Sequence, residues 1–317
     1  MTLISFGCSD NPKRGDSPLK GWMEKNGKLK VLSTTRMIED LVSQIGGERV
    51  DSLCLIQGDL DPHSYELVKG DGEKLSFAAL VFFNGLGLEH GASLSYQLSH
   101  HPSAVALGDL IGQKRPDLIL VSEGQWDPHI WMDVSMWAEG VDGIAEALSE
   151  KDPEGRGCFE ENKEAVKKKM LETHDQIGKS FLQVPDERRY LITSHDAFHY
   201  FGRAYLATPE ERENGKWKER IAAPEGLAPD GQLSVAEIQH VLGYLMEHQV
   251  RVIFPEANVS REALKKIRNA CRSKGLEVNL SEKPLFGDSM GEGDAYLQMM
   301  VKNGQNLQQE WSCYKTK

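Results

Sequence analysis

The sequence predicts an α/β protein of two lobes joined by one long helix. Three observations carry that prediction. Strands alternate with helices from residue 29 to about 154, a helical stretch without proline follows, and the alternation restarts after Pro185. The chain has 317 residues, enough for two domains of ordinary size. We divide it into a leader remnant and tether (1–28), an N-terminal α/β lobe (29–154), a linker helix (155–185) and a C-terminal α/β lobe (186–317).

Taken in order, "LKVLSTT" (29–35) reads as a buried strand, and "RMIEDLVSQIGG" as a helix closed by glycines. "VDSLCLIQ" is a second strand, "EKLSFAAL" a short helix and "LVFFNG" a third strand. "DLILVS" (117–122) reads as another strand, and "VSMWAEGVDGIAEALSE" as an amphipathic helix. From Cys158 to Val184 the apolar residues Phe159, Val166, Met170, Ile177, Phe181 and Val184 recur near a helical period. That predicts one helix of about seven turns, long enough to act as a strut. Beyond it, "RYLITS" and "VRVIFPE" are expected strands and "FHYFGRAYL" and "SVAEIQHVLGYLMEHQ" expected helices. "SREALKKIRNACRSKG" reads as a helix with Ser260 as N-cap and Gly275 past its end, "LEVNL" as a short strand, and residues 294–311 as helix.

Composition narrows the function. A net charge of −11 argues against a nucleic-acid role, because phosphate neutralisation needs a basic face. The one basic run, "KEAVKKKM", reads as the solvated side of the long helix. No apolar run reaches the roughly 18 residues of a membrane span. "MTLISFGC" resembles the end of a bacterial lipoprotein leader, in which Cys8 would carry the lipid anchor, although Phe6 is bulky for such a signal. The other cysteines, Cys54, Cys158, Cys271 and Cys313, have no C-x-x-C spacing, and their even number suits disulfides in an oxidising compartment.

The tripeptide Asp-Pro-His occurs twice, in "DPHSYE" (61–66) and "DPHIWMD" (127–133), each with an aromatic residue two places on. About 0.02 copies are expected by chance in this length, so the repeat calls for a shared role. Each proline stiffens its turn and keeps the preceding aspartate out of helical geometry. His63 and His129 thus stand on stiff turns after expected strands, and His195 follows a third. Asp288 lies in a Gly-rich loop after the last strand. Ligands of open α/β sheets bind beyond the carboxyl ends of strands, so His63, His129, His195 and Asp288 are candidates for one cleft. Three neutral imidazoles and a carboxylate suit Zn²⁺ or another first-row ion. A histidine at a strand end is more often a hydrogen-bonded core residue, but that reading does not account for two matched motifs and a third equivalent position. His195 and His199 have the i, i+4 spacing of a helical zinc pair, yet His195 is expected to precede its helix. His100 and His101 read as an exposed turn, and His90, His174, His240 and His248 as surface residues. No HExxH, G-x-S-x-G or Walker loop is present, and "NGLGLEHG" departs from the dinucleotide fingerprint.

With these residues in place, the chain resembles the metal-binding receptors of bacterial ABC importers, the TroA-like, PsaA-like and ZnuA-like solute-binding proteins. The resemblance runs from about Lys30 to the C-terminus through "VLSTTRMIEDLVSQIGGERV", both DPH motifs, "AALVFFNGLGLE", "ITSHDAFHYFGRAY", "APEGLAPDGQLSVAEI", "RVIFPEANVS" and "PLFGDS". It implies two Rossmann-like lobes, a rigid linking helix and an ion held between the lobes by His63, His129, His195 and Asp288. The His-rich loop of ZnuA-like members is missing, which favours the TroA-like branch and leaves zinc, manganese and iron open as cargo.

The expected function is capture of a divalent ion outside the cytoplasmic membrane by a monomer that delivers it to a membrane ABC permease. A metal-dependent hydrolase using the same cluster, or a metal-binding adhesin, are the alternatives. A catalytic zinc normally keeps one coordination position open, whereas a carrier surrounds its ion until a partner parts the lobes. Asp61, Asp127, Asp196 and Glu256 are candidates for orienting the imidazoles, with ordinary turn carboxylates as the plainer reading. Tyr65 and Trp131 are expected to pack rather than ligate.

Overall fold

The computed structural model describes residues 21–313, apart from 123, 230–233, 292 and 294. Cys8 and the leader lie outside the described residues.

In the N-terminal half, β1 (Leu29–Ser33) is the central strand, flanked by β2 (Val50–Cys54) and β3 (Leu80–Phe83), with β4 (Ala104–Ala106) beyond β3. All pair in parallel, with Leu32 opposite Leu53 and Val81. Parallel pairing requires crossovers, and helices supply them: α1 (Arg36–Gly46), α2 (Asp71–Phe77) and α3 (Ala92–His100). Val31, Leu32, Val81 and Phe82 are fully buried, as expected of strands covered on both faces. Helix α4 (Leu107–Lys114) follows β4.

The expected strand "DLILVS" is mostly not one. Pro116–Leu118 forms a 3-10 turn, and β5 (Val121–Ser122) pairs only with β6 (Gln125–Trp126) in an antiparallel hairpin. Its backbone groups are claimed elsewhere: Leu120 N–H donates to the Tyr200 hydroxyl and Leu120 C=O accepts from Asp127. Next come α5 (Val134–Trp137), α6 (Gly140–Lys151) and the long helix α7 (Arg156–Phe181). Helix α7 has 26 residues, and its buried face is Phe159, Val166, Met170, Ile177 and Phe181, five of the six apolar residues expected for it.

In the C-terminal half the strands shrink to two residues each: β7 (Leu191–Ile192), β8 (Ile221–Ala222), β9 (Val252–Ile253) and β10 (Asn279–Leu280). β7 pairs in parallel with β8 and β9 with β10, while Phe254 N–H donates to Ile192 C=O between the two pairs. The resulting order, 8-7-9-10, repeats the 2-1-3-4 order of the first half. The expected helix "FHYFGRAYL" is a three-residue α8 (His199–Phe201) running into a π-helical segment, Gly202–Leu206. Helices α9 (Pro209–Asn214), α10 (Val235–Glu247), α11 (Glu262–Ser273) and α12 (Tyr296–Cys313) complete the chain. Ser260 is not the N-cap of α11. Arg261 holds that place, and Ser260 Oγ accepts from Glu262 N–H at 3.4 Å, too long for a strong cap.

One apolar cluster runs from Val31 and Phe82 through Trp131, Trp137 and α7 to Tyr296 and Trp311, so the halves share a core. The four described cysteines are all free: Cys54 and Cys271 are buried, Cys158 and Cys313 exposed. Cys54 Sγ is turned to the Ile56 carbonyl and Cys271 sits in the α11 core, so their burial does not come from a disulfide. No helix among the described residues is long and apolar enough to cross a membrane.

Candidate metal centre

The first DPH turn is built by its own aspartate. Asp61 accepts from His63 N–H at 2.9 Å and from Ser64 Oγ at 2.5 Å. The His63 carbonyl accepts from Gly91 and His90, which fixes the turn against the start of α3. Glu66, the last residue of the motif, accepts from Ala92 and Ser93 N–H at that helix end. A Cβ on Gly91 would lie 2.1 Å from the Tyr65 carbonyl, so only glycine lets the two segments meet.

The second turn is held more tightly. Asp127 Oδ1 accepts from both His129 N–H (3.0 Å) and His129 Nδ1 (2.7 Å), while its Oδ2 lies 3.1 Å from His199 Nδ1. Tyr200 donates to the Asp127 carbonyl and Asn84 to that of Pro128. With Nδ1 bonded to a carboxylate, His129 turns Nε2 to the cluster, the arrangement in which a second-row carboxylate sets the tautomer of a ligand.

His195 follows β7 and forms a parallel bridge with Glu225. Glu256 Oε1 accepts from Ser194 and His195 N–H, and its Oε2 lies 2.9 Å from His195 Nδ1 but off the line of a good hydrogen bond. Asp288 comes from the loop after the Glu256–Leu285 bridge. The preceding carbonyl, Gly287 O, accepts from Trp131 Nε1 at 2.9 Å across the two halves. A Cβ on Gly287 would lie 2.4 Å from Glu256 Oε2.

These elements bring His63, His129, His195 and Asp288 together, with one donor atom of each within 4.8 Å of the others. His63 Nε2 and His129 Nε2 are 3.2 Å apart, His129 Nε2 and Asp288 Oδ1 3.3 Å, and His195 Nε2 and Asp288 Oδ2 3.1 Å. A tetrahedral ion with bonds of about 2.0 Å has donor-to-donor edges of about 3.3 Å. These three distances lie near that value, His63 Nε2 to Asp288 Oδ2 is longer at 3.7 Å, and the cluster is of a size to close on one ion. The four side chains are buried, and His195 Nε2 and Asp288 Oδ1 have no hydrogen-bond partner. Buried polar atoms without partners are rare, and a cation would satisfy both.

The electrostatics differ among the three rings. Burial, reinforced by its two neighbouring imidazoles against the pull of Asp288, pushes the His63 pKa down to about 3, so this ring is neutral. His129 is opposed by burial, but its bond to Asp127 and the nearby Asp288 carboxylate hold it up at about 9. For His195 burial is likewise outweighed by Glu256 and Asp288, and it is held well above the usual imidazole range. Asp288 is drawn well below the carboxylate range, its burial outweighed by the three histidines. Both charged imidazoles must lose a proton to ligate.

Of the four carboxylates expected to orient the rings, Asp127 and Glu256 do so. Asp61 shapes its turn instead, and Asp196 lies 3.7 Å from His199. Trp131 packs as expected and also donates to Gly287. Sequence reasoning missed His199, Asn84, Gly91 and Gly287. His199 had a signal, its spacing from His195, but its partner is Asp127, 72 positions away. His100 ends α3, His101 is half-buried against the Leu75 carbonyl, and His174 is half-buried beside Tyr205 and Asp133.

Comparison with known proteins gives one answer. Residues 31–310 match the ZnuA family, described as the periplasmic component A of a zinc-uptake complex. The metal-binding protein YtgA of Chlamydia pneumoniae is 41% identical over 289 residues, 91% of this chain and 85% of its own length. The Fe(III)-bound structure of YtgA from Chlamydia trachomatis superimposes with a TM-score of 0.85 at 38% identity, covering 90% of this chain and 98% of that one. The periplasmic zinc-binding protein TroA of Treponema pallidum does so with 0.81 at 27% identity, covering 90% and 99%. The chain therefore belongs to the ZnuA family, the periplasmic metal-binding, solute-binding components of metal ABC importers.

Proposed function

We propose that this chain captures a single transition-metal ion outside the cytoplasmic membrane, holds it on Nε2 of His63, His129 and His195 and on the Asp288 carboxylate, and passes it to a membrane ABC permease. The observation that carries the reading is the convergence of four buried donors from four separate segments on one point. Cys8 is proposed as the lipid anchor. Four protein donors would fill a tetrahedral site, which favours a carrier over a hydrolase, because a metal hydrolase needs a position for water. A small crevice lined by Gly58, Leu60, Pro62, Ser289 and Met290 borders Asp288.

The donor set suits zinc, manganese and iron alike. The relatives divide in the same way, since the YtgA structure holds Fe(III) and TroA is a zinc-binding protein. Affinity generally rises from Mn²⁺ through Fe²⁺ to Zn²⁺, so tight zinc binding alone does not identify the cargo. Metal analysis of the purified chain and of His129→Ala tests the site: one ion per chain is expected for the parent and a large loss for the variant. Full stoichiometry and unchanged affinity in the variant would overturn the four-ligand site. A thermal-shift series with Zn²⁺, Mn²⁺, Fe²⁺ and Fe³⁺ then ranks the ions, since stabilisation follows concentration over Kd.

A further inference from the structure

A second cavity, of about 480 Å³, lies between the C-terminal part of α7 and the segment that runs from the π-helical turn into α9. It shares no residue with the metal centre, and its volume falls in the range of small-molecule sites. Three cations line it, Lys179, Arg189 and Arg212, against two anions, Asp175 and Asp186. A net positive cleft stands out on a chain of net charge −11.

The fold engages Arg189 closely and Arg212 only in part. Arg189 is buried, donates to the Val184 carbonyl at 2.8 Å and pairs with Asp186. Arg212 is exposed and donates one N–H to the Ala204 carbonyl at 2.9 Å. A guanidinium has five N–H donors, so both retain donors for a ligand. The wall also carries His174 and Thr208, and its apolar part is Leu182, Ala204, Ala207 and Pro209 with Tyr205 beside them. Leu182 is 69% exposed, an apolar side chain left uncovered at the rim.

Two backbone features border the space. Gly178 lies within α7, where glycine costs about 1 kcal/mol relative to alanine, yet a Cβ there would meet nothing within 4 Å. Packing therefore does not require glycine at this position. On the facing wall, Ala204 and Tyr205 sit in the five-residue π-helical turn, a departure from α geometry often found at functional sites.

We propose that this cleft is a second ligand site, which takes a small organic carboxylate carrying an apolar body. The guanidinium forks of Arg189 and Arg212, with Lys179, receive the carboxylate, and Leu182, Ala204, Ala207 and Tyr205 receive the body. Arg–carboxylate pairs are planar and bidentate, so a neutral isostere of the same shape binds less well.

The test uses the full chain and two probes, hexanoate and hexanamide, with binding followed by calorimetry and by NMR chemical shifts. Hexanoate is expected to bind once per chain and to exceed hexanamide by about tenfold or more. Arg212→Gln should weaken hexanoate by a similar factor, and Gly178→Leu, which fills the cleft, should abolish it. Both variants should keep the parent's circular dichroism and thermal shift with Zn²⁺, which separates loss of the cleft from loss of the fold. Hexanoate binding should also survive in His129→Ala, showing that it does not report the metal centre. Absence of hexanoate binding, equal binding of the amide, or indifference to both variants overturns the proposal.

Discussion

Behind two of the three imidazoles stands a buried carboxylate, and each decides what its ring can do. Asp127 holds His129 by backbone and side chain at once. Replacing it with asparagine keeps the size but removes the charge that fixes Nδ1–H. Asp127→Asn should lower metal affinity by about 10- to 100-fold in competition with a chelator of known strength, with the fold intact. The same carboxylates give binding a pH dependence. His129, held at about 9, and His195, held well above the usual imidazole range, carry protons at pH 7 in the metal-free protein, whereas His63 does not. Metal uptake must therefore release protons, and affinity should fall as pH falls below 9. Calorimetry in two buffers of different ionisation enthalpy measures that release, and identical heats would refute it. Stability of the metal-free protein runs the other way: the folded pKa of His129 lies above its unfolded value of about 6.5, so its contribution is complete below that value and is lost as pH rises through 9. At this scale the sequence was informative where a motif repeated. The two DPH turns disclosed His63 and His129, but the Asp127–His199 contact could not be read because it joins positions far apart in the chain.

Among the elements, glycines separate where the backbone is constrained from where it is not. Gly243 lies within α10 with open space about its Cβ position, so Gly243→Ala should stabilise the chain by up to about 1 kcal/mol in urea unfolding. Gly91→Ala should do the opposite, because its methyl group would meet the Tyr65 carbonyl and displace the turn that carries His63. We expect a lower melting temperature and weaker metal binding from that one substitution. If Gly91→Ala bound metal as the parent does, the packing assigned to the first turn would be wrong. The alternation of strands and helices, and the long helix within two residues of its expected start, were legible because apolar periodicity reports burial directly. The two-residue strands of the second half and the π-helical turn were not. Ile192 and Ile253 are buried like ordinary strand residues, and nothing local marks where pairing stops. "DLILVS" misled for a related reason: its run of apolar residues is covered, but Tyr200 and Asp127 take the hydrogen bonds that a neighbouring strand would have taken.

Across the whole molecule, the halves are joined by more than α7. Trp131, Phe181, Phe201, Tyr205 and Trp311 belong to one continuous core, and each large side chain costs about 1.5–3 kcal/mol to expose. Hydrogen bonds cross with them: Tyr296 Oη to the Trp131 carbonyl, Val134 N–H to Tyr205 Oη and Tyr296 N–H to Asp40. The simple picture of two lobes swinging apart is therefore expensive. Small-angle scattering of metal-free and metal-loaded protein should give radii of gyration equal within error, and a clear expansion on metal removal would show that this core opens. The narrow crevice at Gly58–Pro62 and Ser289–Met290 is the place where smaller movements would expose Asp288.

The hydrogen bond from Trp131 to the Gly287 carbonyl has a kinetic meaning. Trp131 stands two residues after one proposed ligand and Gly287 one residue before another, so this bond sets their separation without any help from the cargo. The ordering of the donors is thus completed during folding rather than at capture. Such a site is expected to release its ion slowly, which chelator competition followed in time would measure. Unloading it within the lifetime of a transport cycle takes work done from outside, and the importer that couples to it has to supply that work.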